Sequence, residues 1–170
     1  IETYVESVTG FAPTVTVSPN LMLSVQDSTF YNSTGNWQVT NATIEESEDQ
    51  VAEPGDNVID TTFSLKVTPS GIGDITLGYD NVVTKGIPVS EDTEYSLNAQ
   101  VKCPTSGQNL TLMAEFFDKD GVSVGTDDVT IAANNTWQLL ELVTTTPAGT
   151  SYAALTISWD DTDVFYVDEV

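Results

Sequence analysis

The chain has 170 residues, 39% of them apolar and 18% charged, enough apolar material for one core of ordinary domain size and too much for a disordered polymer. Asp and Glu number 26 against four lysines, with no histidine and no arginine, for a formal net charge of −22, so a phosphate-binding surface for nucleic acid is excluded and acidic polymers are repelled. The missing residue types also exclude Ser-His-Asp and Cys-His catalysis, a His-ligated zinc and an arginine clamp, leaving carboxylate chemistry alone.

The single cysteine, Cys103, forms no intrachain disulfide. No apolar run approaches the roughly 18 residues of a membrane span, so membrane insertion is not expected. Apolar and polar residues alternate with a period of two through most of the chain, and the 25 threonines favour pleated backbone. The fold class expected is all-β, a two-sheet antiparallel β-sandwich jelly roll. Residues 1–19, with Gly10, Pro13 and Pro19, read as a linker or the remnant strand of a preceding domain, and residues 20–170 as one domain.

In chain order the predicted strands are 37–43, 63–68, 75–79, 95–101, 110–116, 129–132, 138–144, 152–159 and 165–170. Turn signals separate them: Thr34-Gly35-Asn36, Glu53-Pro54-Gly55-Asp56, Pro69-Ser70-Gly71, Asp118-Lys119-Asp120-Gly121 and Pro147-Ala148-Gly149. In the fourth strand Tyr95, Leu97, Ala99 and Val101 should point inward and Ser96, Asn98 and Gln100 outward. In the fifth, Leu110, Leu112, Ala114 and Phe116 form the inward row, leaving Thr111, Met113, Glu115 and Phe117 outside. In the eighth, Leu155, Ile157 and Trp159 share a face. The chain stops at Val170 inside a predicted strand, as expected of a piece of a longer polypeptide.

The order of several short motifs is similar to that of one family. Asn20-Leu21-Met22-Leu23 leads to Phe30 and then Gly35-Asn36-Trp37. Phe63-Ser64-Leu65-Lys66-Val67, Ile87-Pro88-Val89-Ser90 and Thr93-Glu94-Tyr95-Ser96-Leu97 follow, then Phe116-Phe117-Asp118-Lys119-Asp120-Gly121, Asn135-Thr136-Trp137, Thr146-Pro147-Ala148-Gly149-Thr150 and Tyr166-Val167-Asp168-Glu169-Val170. From Asn20 to Val170 the chain resembles carbohydrate-binding modules of the cellulase and xylanase accessory type, a jelly roll also used in phage fibres and surface proteins. The resemblance implies a structural calcium, with Asp168 and Asp27 as candidate ligands through oxygen. Tyr31 stands where members carry an acidic residue.

Candidate binding residues follow from the outward rows. Asn98 and Gln100, taken as lying beside Met113, Glu115 and Phe117, would combine hydrogen-bonding groups with apolar area, as a glycan groove requires. Trp37, Trp137 and Trp159 have rings able to stack on a pyranose, but the resemblance places Trp37 and Trp137 at core positions, and Trp159 shares its face with Leu155 and Ile157. The acidic pairs Asp118 with Asp120 and Asp127 with Asp128, and the group Asp160, Asp161 and Asp163, are further candidates for calcium.

The expected function is a non-catalytic glycan-binding or adhesion module of a virion or extracellular surface protein. Its partners would be a neutral polysaccharide or glycan and other subunits of a surface assembly. The alternatives are a structural spacer with no sugar ligand, an accessory module of a secreted glycoside hydrolase, and a hydrolase using Glu115 and Asp160 as paired carboxylates.

Overall fold

Period-two patterning becomes strands throughout the computed structural model, which describes residues 36–48, 63–78, 82, 86–105, 107–168 and 170. The strands are β1 (Gln38–Ser47), β2 (Ser64–Leu77), β3 (Ile87–Pro88), β4 (Glu94–Lys102), β5 (Asn109–Phe117), β6 (Ser123–Ala132), β7 (Gln138–Thr145), β8 (Tyr152–Trp159) and β9 (Phe165–Asp168). The expected linker 1–19, the domain start at Asn20, Asp27, Phe30, Tyr31 and the turn at 53–56 lie outside the described residues.

All pairings are antiparallel, and the strand order is β6-β5-β8-β2-β9-β4-β7, with β1 on β2 and β3 on β8. The two layers of the expected sandwich are thus continuous, because β2 belongs to both. Its residues Leu65 to Val67 pair with β9, and Gly73 to Leu77 pair with β8. One layer contains β6, β5, β8 and the second half of β2; the other contains the first half of β2, β9, β4 and β7.

Pro69-Ser70-Gly71, read from sequence as a turn, lies inside β2. The stretch marks the passage of the strand between layers, and β1 follows it with a bulge between Thr40 and Ala42. Asn41 occupies that bulge at φ 57°, a left-handed conformation that asparagine tolerates, and its Nδ2 donates to the Ile72 carbonyl at 2.8 Å.

One core is shared by both layers. It includes Leu65, Val67, Ala99, Val101, Leu140, Phe165 and Val167 from one side and Ile75, Leu110, Leu112, Ala114, Ile157 and Trp159 from the other. Each fully buried large apolar side chain contributes about 1.5–3 kcal/mol by its removal from water. The alternation expected in β4 holds: Ala99 and Val101 are buried and Tyr95 and Leu97 half-buried, while Ser96 and Asn98 are exposed. In β5 it holds from Leu110 to Phe116 and then fails. Phe116 faces Gly125 and Phe117 faces Ser123, so β6 skips Val124 and the register shifts. Phe117 keeps its regular register with Tyr152 and lies outside the core cluster, yet is only 8% exposed, so its outer row is covered, a correction to its expected place on a wet face.

Candidate functional site

Both β4 and β5 turn their inward rows into the same core, yet their neighbours differ. β4 lies between β7 and β9, whereas β5 lies between β6 and β8. The outward row of β4 therefore looks out of one layer and that of β5 out of the other. Asn98 and Gln100 are not beside Met113, Glu115 and Phe117, and the composite groove expected from sequence is not formed.

On the β5 side, Met113 stands opposite Asp128 and Thr156, and Glu115 opposite Thr126 and Ala154. Thr111 and Thr130 share a hydroxyl hydrogen bond at 2.7 Å. Ala154 and Thr156 are buried even on this outer row. Gly78 and Gly86 come close here: a Cβ on Gly78 would meet the Gly86 Cα at 3.3 Å and the Ala154 Cα at 3.4 Å. Met113 and Glu115 are half-buried.

The β4 side is more open. Gln100 pairs with Leu139 on β7 and with Asp168 on β9, and Asn98 pairs with Glu141, so these side chains share the outer face. The Ser96 hydroxyl lies 3.1 Å from Glu141 Oε1 and 3.2 Å from Asn98 Oδ1. Leu139 is 52% and Val143 56% exposed. Where the next row begins, Lys102 pairs with Tyr166, which pairs with Lys66. The half-buried Trp137 ring meets Tyr166 edge-on, with centroids 6.5 Å apart. The Lys102 ammonium sits 5.8 Å from the Trp137 centroid and 5.9 Å from that of Tyr166, a cation–π arrangement that holds both rings in place. Lys66 donates to Glu45 at 2.6 Å, and that hydrogen bond raises its pKa above the ordinary lysine value.

Trp37 and Trp159 are buried, so of the three tryptophans Trp137 offers its ring to solvent, against the core position implied by the resemblance. From sequence Trp137 is a stacking candidate assigned to the core, and Tyr166 and Leu139 are not singled out as candidates. Tyr166 was legible, since the alternation Phe165, Tyr166, Val167 puts the tyrosine outside once the other two are inward.

Among the other candidates, Asp168 is 2% exposed on the row of Gln100, and Asp27 lies outside the described residues. Asp118 Oδ1 accepts the Asp120 and Val122 amides at 2.9 Å each, and the Val122 bond leads in holding its carboxyl below the ordinary range. Asp127 accepts the Asp128 amide at 3.0 Å. Asp160 accepts both the side-chain and backbone N–H of Asn109, at 2.6 and 2.8 Å, the side-chain bond being the larger cause of its lowered pKa. No group of three or more Asp, Glu or Cys side chains arranged for a metal ion occurs among the described residues. Asp160 is tied to Asn109, six positions along β5 from Glu115, a separation of about 20 Å at the rise of a strand. Paired glycosidase carboxylates stand about 5–10 Å apart, so these two do not form such a pair.

No protein-family model and no curated protein matches the chain in sequence. Solved structures match in fold. The enzymatically active domain of tailspike protein 4 from bacteriophage CBA120 superposes with a TM-score of 0.65 at 15% identity, over 86% of this chain but 20% of its own. The CBM22-1 xylan-binding domain of the Xyn10C protein from Paenibacillus barcinonensis gives 0.59 at 16% identity, over 84% of this chain and 88% of its own. A family 61 carbohydrate-binding module in complex with β-1,4-galactotriose gives 0.54 at 8% identity, over 86% and 93%. The chain has the jelly-roll fold of carbohydrate-binding modules and spans one-fifth of the tailspike domain it matches.

Proposed function

We propose that the chain is a non-catalytic module that binds a neutral glycan on the outer face of β7, β4 and β9. Trp137 and Tyr166 are the apolar platforms, and Asn98, Gln100 and Glu141 the hydrogen-bonding groups. The observation that carries this reading is the half-exposed Trp137 ring, braced by Tyr166 and Lys102 at the end of an open sheet face bearing uncharged amides. An indole presents a flat apolar face to the C–H side of a pyranose, and a carboxamide both donates to and accepts from hydroxyls. With −22 overall, long-range attraction cannot recruit an acidic glycan. Fold likeness to a domain named for xylan binding and to a galactotriose complex supports the ligand class.

The setting we propose is a virion or extracellular surface, supported by the tailspike likeness. The calcium implied by the sequence resemblance would draw on Asp168 as a buried oxygen ligand, together with Asp27. A second reading, a spacer contacting other subunits of a surface assembly, is favoured by the exposed Leu139 and Val143 on terminal strand β7.

Tryptophan emission separates the two. Because Trp37 and Trp159 are buried, a change on titrating xylo-oligosaccharides or β-1,4-galacto-oligosaccharides reports Trp137. Saturable change that is lost in Trp137→Ala supports the glycan reading. Silence across a neutral glycan array overturns it and leaves the spacer.

A further inference from the structure

Four strands have a single partner among the described residues: β1 on β2, β3 on β8, β6 on β5 and β7 on β4. A strand with one neighbour directs the N–H and C=O groups of alternate residues away from the sheet, a template for another chain that folds ordinarily blunt. Three of the four are blunted. β1 carries the bulge at Asn41, with its left-handed backbone. β3 is two residues long and contains Pro88. β6 skips Val124 and sets Asp127 on the row of the buried Ala114, with Asp128 beside it.

β7 has none of these devices. It pairs with β4 at eight consecutive positions, Gln138 to Thr145, without a shift, and holds no proline, glycine or lysine. Leu140, Leu142 and Thr144 are buried on its inner row, while Leu139 and Val143 are more than half exposed on its outer row. An apolar side chain on an outer row is shielded by the residues opposite it on neighbouring strands. On the β4 side Leu139 and Val143 meet the polar Gln100 and Ser96, so apolar shielding is left to the other edge. Glu141 lies between them. The Ser96 hydroxyl is 3.1 Å from its Oε1, and a carboxylate has about four acceptor sites, so it keeps capacity for a partner.

We propose that the β7 edge takes an extended segment of another polypeptide as an added strand, with apolar side chains opposite Leu139 and Val143 and Lys or Arg opposite Glu141. Backbone pairing supplies the affinity and alternate side chains the selectivity. Charge selects the partner: at −22 overall, the chain attracts a basic segment over long range and repels an acidic one. A second copy fails on the same ground. The antiparallel register that sets Leu139 against Val143 of another copy sets Glu141 against Glu141, and like charges directly opposite are destabilising. The inference is independent of the glycan-binding reading.

The peptide acetyl-TVTKTVT-amide tests it on the full ¹⁵N-labelled chain, its sequence reading the same in both directions and so serving either strand orientation. The amides of residues 138–145 are expected to shift and saturate together, and alternate ones to gain protection from hydrogen exchange, while those of β1 and β6 stay still. The same peptide with glutamate in place of lysine should bind about fivefold more weakly, the scale of one cross-strand charge pair, and Glu141→Gln should reduce that preference. Val143→Lys, at an exposed position, should melt as wild type, bind TVTKTVT about fivefold more weakly and keep the oligosaccharide response of Trp137. Still β7 amides at millimolar peptide overturn the proposal. An equal response at β1 or β6 overturns the choice of edge, and equal binding of the two peptides overturns the basic partner. Protection of β7 amides without peptide, together with a doubled mass in sedimentation velocity, overturns it in favour of a second copy. Silence of Trp137 towards sugars, with β7 responding to the peptide, supports this interface and overturns the proposed function alone.

Discussion

The indole Nε1–H of Trp159 donates to the Gly71 carbonyl at 2.7 Å, joining residues 88 positions apart. Gly71 lies where β2 passes between layers, and Trp159 pairs with Gly73 two residues on, so the end of β8 secures the passage. Trp159→Phe keeps most of the aromatic area but removes the donor. The expected outcome is a loss of about 1–3 kcal/mol, from an unpaired carbonyl and a small void, read as a lower urea midpoint with an unchanged slope. A midpoint equal to wild type would mean that water satisfies Gly71 equally well.

Two glycines of the same passage give a sharper contrast. A Cβ at Gly73 would lie 2.1 Å from the Thr40 carbonyl oxygen, whereas one at Gly71 would have its nearest neighbour, the Asn41 Cβ, at 3.9 Å. Thr40 is held by its pairing with Asp74, so backbone must move to admit the methyl group. Gly73→Ala should lower stability by about 1–3 kcal/mol, the usual effect of overpacking, and Gly71→Ala should unfold close to wild type. Equal melting temperatures for the two variants would refute the bulge geometry.

Acid should act locally at two carboxylates. Asp118 and Asp160 both have folded pKa values below the 3.8 of a free aspartate, because amide donors favour the charged form. A depressed pKa contributes stability that is full above the unfolded value and is lost as pH falls through the folded one. Carboxyl-carbon NMR titrations should therefore show both midpoints below 3.8. The Asn109 amide should titrate with Asp160 and the Val122 amide with Asp118. Midpoints at or above the free value would mean that the observed contacts do not persist in solution.

The β4 alternation was legible because each second residue from Ser96 to Gln100 is polar, and a period of two permits only one inward face. The partners of β4 were not. Pairing with β7 and β9 spans dozens of residues, and local pattern carries no signal for which strand lies next to which. That is why Asn98 and Gln100 could be assigned to the right side of their own strand and still be matched with residues of the wrong layer. In β7 the run Leu139-Leu140-Glu141-Leu142-Val143 is apolar on both parities, so the exposed pair Leu139 and Val143 had no contrast to reveal it. Phe117 was misplaced for a different reason: its register with Tyr152 is regular and it lies outside the core cluster, on the outer row where Ala154 and Thr156 are also buried, and alternation carries no signal for what covers an outer row.

Alternation put Phe117 on a wet face and the resemblance put Trp137 in the core, whereas Phe117 is buried and Trp137 half-exposed, and paired substitutions should separate their contributions. Phe117 is 8% exposed, stands opposite Tyr152, and lies on the layer away from Asn98 and Gln100. Truncating it removes buried aromatic area, so Phe117→Ala should destabilise the fold, by up to about 3–5 kcal/mol if the site cannot collapse. Where the variant remains folded, its sugar affinity should match wild type. Trp137 touches solvent, Tyr166 and Lys102, so Trp137→Ala should leave the melting temperature nearly unchanged. It should weaken binding of neutral oligosaccharides by about 2 kcal/mol, the scale of an aromatic face removed from water. Stacking and amide hydrogen bonds are short-ranged and little screened, so the affinity should differ little between low and high salt. Calorimetric titration of both variants at two ionic strengths, beside their thermal melts, checks all of these outcomes. Loss of binding in a well-folded Phe117→Ala, or full binding in Trp137→Ala, would return the site to the β5 layer.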